Sequence, residues 1–187
     1  MAYIEVIEHD NSEGELKEVY DGLVKSRGKL AEVHKIQSLN PKSIIDHMNL
    51  YMTIMFGKSP LKRVQREIIA VVVSKSNNCE YCQTHHAEAV NAYWKNTEKV
   101  QALKRDYRDI ELSEIDYNLC VLAENLTKTP NWDKQKDHLD LLKNIGLEDR
   151  AILDATLVIS YFNFVNRMVL GLGIQLEEHK GAGFIYD

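Results

Sequence analysis

The chain has 187 residues, 44% hydrophobic and 27% charged, which is ordinary for a globular protein with a packed core. Its net charge of -5, without any basic stripe interleaved with aromatics, argues against a nucleic-acid or anionic-membrane surface. The start, Met1 to Asp10, lacks the basic and apolar regions of a signal peptide, and no segment reads as a membrane span, so a cytoplasmic protein is expected.

The predicted elements are helical almost throughout. Ser12-x-x-Glu15 predicts a capping box opening a helix to about Lys25, broken at Gly28. A short helix to about Leu39 follows. Asn40-Pro41 starts another to about Phe56, ended by Gly57. Ser59-Pro60 reads as N-cap and first position of the next segment, 61–76. Its apolar run Ile68–Val73 fits a buried strand or a buried helix by periodicity; the Ser-Pro start, Arg66-Glu67 and the length favour helix.

Asn78 is the expected N-cap of a helix reaching about Tyr93. A short helix over Thr97–Lys104 comes next. Ser113-x-x-Asp116 opens one to about Leu126, then a loop spans Thr127–Trp132. Trp132–Asn144 is closed by Gly146, and Glu148–Leu170, the longest helix, ends at Gly171 and Gly173. Only the extreme N-terminus and Phe184-Ile-Tyr186 read as extended, as arms suited to packing on a neighbouring subunit. The fold class is all-α: a single domain over residues 1–187, with a motif-bearing region at about 41–110 and C-terminal helices at about 113–175.

Chemistry concentrates in one stretch. Cys79 and Cys82 stand three apart, His86 follows four residues after Cys82, and Glu67 lies one element upstream. On a helix Cys82 is about 60° round from Cys79, and His86 about 40° from Cys82, so the three share one arc. His85, about 120° from Cys79, points elsewhere and reads as structural or, at most, a pocket residue. The first turn of a helix favours a thiolate. A chain reversal at Ser76-Asn77-Asn78 returns Glu67 beside the cysteine helix, where a carboxylate raises the basicity of an imidazole and orients it. This is the set that thiol redox chemistry needs: an attacking thiolate, a trapping thiol and a proton relay. In a cytosol such a pair is catalytic or metal-binding. Cys120, in an apolar helical run, reads as a buried core thiol.

Glu67, then eleven residues, then Cys79-x-x-Cys82-x-x-x-His86 resembles the core motif of the alkylhydroperoxidase D-like family, within the carboxymuconolactone decarboxylase superfamily. The stretch Tyr161-Phe-Asn-Phe-Val-Asn-Arg167 followed by Gly171-Leu-Gly-Ile resembles its "peroxidase-related" branch. The resemblance implies an alkylhydroperoxidase D-like multi-helix bundle, a homo-oligomer (dimer, trimer or hexamer) and reduction of alkyl hydroperoxides through a Cys-x-x-Cys disulfide cycle. It implies that Cys82 is peroxidatic, that Cys79 is the resolving thiol and proton donor, and that Glu67 and His86 form the proton relay. Well-studied members carry a histidine just before the second cysteine; here Tyr81 stands there, which implies a simpler relay or a weaker activity. No Gly-x-Gly-x-x-Gly or P-loop is present, so no cofactor is expected, and an external dithiol, small thiol or redox partner protein supplies the electrons.

Other uses of these residues stay open. The scaffold also suits decarboxylase or lyase chemistry that does not need the cysteines. Cys79, Cys82 and His85 or His86 offer three ligands for a zinc-stabilised, non-enzymatic oligomeric module, although structural zinc sites take four. The cysteines also read as two inert buried thiols. Tyr51–Phe56 and Val158–Val165 are candidate pocket segments. An echo offset by 84 residues sets Arg150-Ala151 opposite Arg66-Glu67, and Asn163 and Asn166 opposite the cysteines. As a degenerate helical repeat it would place Asn163, Asn166 and Arg167 in a pseudo-equivalent, structural or interface position, with Arg167 free to hold a carboxylate.

Overall fold

The computed structural model describes residues 2–177, so the expected Phe184–Tyr186 arm lies outside the described residues. All regular structure among the described residues is helical. The helices are α1 (Gly14–Arg27), α2 (Glu32–Lys35), α3 (Pro41–Tyr51), α4 (Arg63–Ser76) and α5 (Glu80–Trp94). After them come α6 (Thr97–Arg105), α7 (Glu114–Lys128), α8 (Gln135–Asn144) and α9 (Asp149–Leu172).

Helix α4 is the centre. Every residue from Arg66 to Ser74 is buried, and α5, α7 and α9 pack around it. This settles the ambiguous run Ile68–Val73. Its β-branched residues have weak helix propensity, but packing on all sides outweighs a preference of a few tenths of a kcal/mol per residue. A smaller cluster of Leu16, Tyr20, Leu23 and Ile44 joins α1 to α3.

Several predicted caps are replaced. Ser12 does not cap α1: its hydroxyl donates to the His9 carbonyl in a 3₁₀ turn, and α1 starts at Gly14. Ser59-Pro60 does not open α4. Ser59 Oγ accepts from Leu61 N and donates to Asp154, and the helix begins two residues later, where Lys62 N donates to Gln65 Oε1 at 2.8 Å. Helix α7 runs two residues past the expected Leu126, and α8 starts at Gln135 rather than Trp132.

Helix α3 continues into a π turn, Met52–Phe56, ended by Gly57 as predicted. Glycine is required there by close approach, because a Cβ would lie 2.3 Å from the Thr53 carbonyl oxygen. Buried Arg66 donates to the carbonyls of Ile54 and Gly57 at 2.9 and 3.0 Å, tying this turn to α4.

The N-terminal arm is extended as expected but packs on its own chain. Tyr3 N donates to Leu172 O, its ring lies against Gly173, and Ile7 N donates to Ser38 Oγ. Helix α9 corrects another expectation. Its 24 residues, with a window of mean hydropathy 1.3, are long and apolar enough to cross a membrane. The bundle uses that apolarity: Ala155, Val158, Ile159 and Phe162 are at most 1% exposed.

Candidate active site

The chain reverses between α4 and α5 through Asn77 and Asn78. Asn78 takes a left-handed φ of 56°, a conformation asparagine tolerates. Asn78 therefore does not cap α5; Cys79 is the N-cap residue and Cys82 the third helical residue. Cys79 N donates to Ser74 O at 2.8 Å, and Gln83 N donates to Cys79 O at 3.0 Å. Both sulfurs thus belong to the turn where backbone N–H groups lack helical partners and negative charge is favoured.

Both cysteines are free and buried. A hydrogen bond between the thiols lowers the Cys79 pKa and raises that of Cys82. Burial and the Cys79 charge add to the rise at Cys82, and a hydrogen bond from Asn166 opposes it. The pair therefore gives up one proton more readily than an ordinary thiol and holds the second strongly, since two adjacent buried thiolates repel.

Glu67 is fully buried on α4 and reaches α5 as predicted. Its Oε2 lies 2.6 Å from His86 Nδ1, while Oε1 accepts from Arg63 Nε and Nη2 at 2.8 and 2.5 Å. Burial alone would raise its pKa, but the charges and hydrogen bonds of His86 and Arg63 outweigh that and hold it below the usual carboxylate range. With Nδ1 committed to Glu67, His86 keeps Nε2 for other chemistry. Its ring meets Phe162 edge-on at 4.3 Å.

A cavity of about 90 Å³ opens beside this group. Cys82, His85, His86 and Tyr81 line it; Cys79 does not. Of the expected pocket segments, Tyr51, Tyr161, Phe162 and Val165 reach it. His85, which helical projection turned away from the cysteines, is also in the wall, because the cavity extends sideways under α2. Its Nε2 lies 2.8 Å from Glu177 Oε2, and Tyr81 OH donates to Glu177 Oε1 at 3.0 Å. Burial would raise the Glu177 pKa; the hydrogen bond and charge of His85 carry it down to about 2.

The C-terminal asparagines pack directly against the cysteine turn. Asn77 Nδ2 donates to Oδ1 of both Asn163 and Asn166 at 3.0 Å, and fully buried Asn166 donates to Ser74 Oγ at 3.3 Å. Among the described residues Arg167 hydrogen-bonds no carboxylate; it donates to Asn163 O and Oδ1. Cys120 is fully buried on α7, as expected, and burial pushes its pKa well up. Among the described residues no group of three or more His, Cys, Asp or Glu side chains is arranged to hold a metal ion.

The sequence model described as "Carboxymuconolactone decarboxylase family" matches residues 46–104, the span containing Glu67, Cys79, Cys82 and His86. A peroxidase-related protein from Silicibacter sp. TM1040 shares the fold with a TM-score of 0.82 and 25% identity, over 90% of this chain and 87% of its own. Over residues 46–104 the chain is similar to the carboxymuconolactone decarboxylase family, and as a whole it is similar in fold to peroxidase-related proteins of the alkylhydroperoxidase D type. Two more distant structures show the same all-α fold. One, from Ralstonia eutropha JMP134, is described as an alkylhydroperoxidase AhpD core and peroxidase-related protein, with TM-score 0.86, 17% identity and coverage of 96% and 94%. The other is the debrominase Bmp8, with TM-score 0.76, 20% identity and coverage of 96% and 95%. No curated protein matches the chain.

Several wall residues were not singled out from sequence. His47 Nε2 sits 2.6 Å from Tyr161 OH and His47 Nδ1 2.8 Å from Gln37 Nε2. Burial lowers His47 to about 4. Burial, with His47 and Arg27 adding, lowers His34 to about 3, and His34 Nδ1 is buried without a hydrogen-bond partner. Lone histidines and an arginine on separate helices carry no local signal. Arg63 does carry one: it stands four residues before Glu67, a spacing at which ion pairs form on helices.

Proposed function

We propose that this chain is a thiol-dependent oxidoreductase that reduces small hydroperoxides. The observation that carries the reading is that Cys82, alone of the pair, lines the cavity, together with a histidine held by a buried carboxylate. Access selects the attacking sulfur. The one proton left on the pair moves to Cys79 along the hydrogen bond the thiols share, and Cys82 meets substrate as the thiolate.

The Cys82 thiolate attacks the terminal oxygen of ROOH. The O–O bond breaks, Cys82 becomes a sulfenic acid, and RO⁻ takes a proton from His86 or from Cys79. Cys79 then attacks the sulfenic sulfur, water leaves, and a Cys79–Cys82 disulfide remains. Glu67 orients His86 and balances its charge as protons pass. An external dithiol, small thiol or redox protein reduces the disulfide and closes the cycle. Tyr81, in place of a relay histidine, offers its hydroxyl to Glu177.

The likeness to a debrominase supports a second reading with the same two thiols. In reductive dehalogenation a carbon–bromine bond becomes carbon–hydrogen, bromide and a proton are released, and the dithiol becomes a disulfide. The fold match and the aromatic wall of Tyr51, Tyr161 and Phe162 support it. Lyase chemistry on the same scaffold would proceed with the thiols blocked.

The reading includes a cytoplasmic homo-oligomer. Leu153, Leu157 and Phe164 are 41–53% exposed and lie within about 40° on one face of α9, a stripe suited to a second copy.

The test is a count of free thiols, with intact mass, before and after one equivalent of an organic hydroperoxide. Loss of two thiols and about two hydrogens, abolished in Cys79→Ser and Cys82→Ser but kept in Cys120→Ser, is expected. Unchanged thiols would overturn the reading.

A further inference from the structure

Arg27 stands out on the cavity wall. It is the last residue of α1, and its guanidinium lies 5.5 Å from the ring centre of Tyr51 and 5.2 Å from that of Phe56. Its hydrogen-bonding contacts are Met52 Sδ at 3.8 Å and the Tyr51 hydroxyl, neither of them anionic. The neighbouring cations are committed: Arg63 to Glu67, and Arg66 to two carbonyls. Among the described residues no carboxylate lines the cavity, and Arg27 is the one permanent charge in its lining. Its field reaches His34, Tyr51 and Tyr161, all in the same wall.

The rest of the lining mixes apolar and aromatic side chains with four histidines, one of which has a buried nitrogen left over. His34 Nδ1 is buried and unpartnered beside the cavity. A buried polar atom without a partner is destabilising, so a ligand that satisfies it gains affinity. A guanidinium on low-polarity walls binds a carboxylate by paired, charge-assisted hydrogen bonds. The cavity, about 90 Å³, is smaller than the 150 Å³ type that admits benzene, so the ligand body is compact.

We infer that the cavity takes a small organic acid: a carboxylate paired with Arg27, a short branched apolar body against Tyr51 and Tyr161, and one polar group at His34. This rests on the reading of Cys82 as the reactive centre, and it narrows the hydroperoxides or halides to those carrying an acid group.

The test measures binding of isobutyrate and of its neutral isostere isobutyramide by NMR titration of the reduced, full-length protein. Isobutyrate is expected to bind at least about tenfold more tightly, and to slow alkylation of Cys82 in Cys79→Ser. Arg27→Gln is expected to abolish the preference and Arg27→Lys to keep part of it, with helix content showing that both variants fold. Equal binding of the two probes, binding of neither, or a preference that survives Arg27→Gln would overturn the proposal. Neither readout requires peroxide turnover, so a chain that binds isobutyrate yet forms no disulfide would sink the redox reading and leave the acid site standing.

Discussion

Glu67 Oε2 lies 2.6 Å from His86 Nδ1, across the gap between two helices, with no part of the carboxylate exposed. Arg63 holds the other oxygen, so the buried charge is balanced from both sides. An ion group of this kind is costly to build and more costly to break.

Replacing Glu67 with Gln is therefore expected to act on stability and on rate. Arg63 loses its buried partner, and urea unfolding should show a loss of about 3 kcal/mol. Thiol oxidation by peroxide should slow by about 10- to 100-fold as His86 loses its orienting group. Because the folded Glu67 pKa lies below its unfolded value, its stabilisation is present above the unfolded value of about 4.3 and is lost as pH falls through the folded one. Glu67→Gln should remove that part of the acid-side slope. A wild-type rate in Glu67→Gln would remove the carboxylate from the relay.

Burial lowers His47 to about 4. The unfolded chain binds the extra proton more readily, so stability should fall with pH between about 6.5 and about 4, by up to about 3 kcal/mol, and level off below that. His47→Gln should reduce the slope in this window in a series of urea melts and leave the part that His34, lowered to about 3, contributes. An unchanged slope would show that His47 titrates normally in the fold.

Asn166 joins the cysteine turn to α9 and lowers the Cys82 pKa. Asn166→Ala should cost about 1–3 kcal/mol by stranding Asn77 and Ser74. Studied in a Cys79→Ser background, it should also move the pH midpoint of Cys82 alkylation upward. Loss of stability with no change in that midpoint would restrict Asn166 to a structural role.

Cys120 is sealed in the core, and burial keeps its thiol protonated. A thiol reagent applied to the native protein should modify Cys79 and Cys82 and spare Cys120 until denaturant is added. Peptide mapping after a timed pulse reads this directly. Early labelling of Cys120 would mean that α7 opens under native conditions.

The all-helical class, nearly every helix and the pairing of Glu67 with His86 were legible in the sequence. The reason is that local signals suffice: Ser113 caps its helix, Gly57 and Gly173 end theirs, and motif spacing sets which side chains share an arc. Ser12, Ser59 and Asn78 misled because a hydroxyl or amide near a helix start has other partners to choose from, and the tertiary surroundings supplied them. Only the folded chain decided that Cys82 and not Cys79 faces the cavity, that Asn166 backs the cysteine turn, and that Arg27, His34 and His47 share a wall with His86. Those residues come from helices distant in sequence, and their meeting depends on how α1 packs on α3, α2 on α9, and α5 and α9 on α4, which no local pattern encodes.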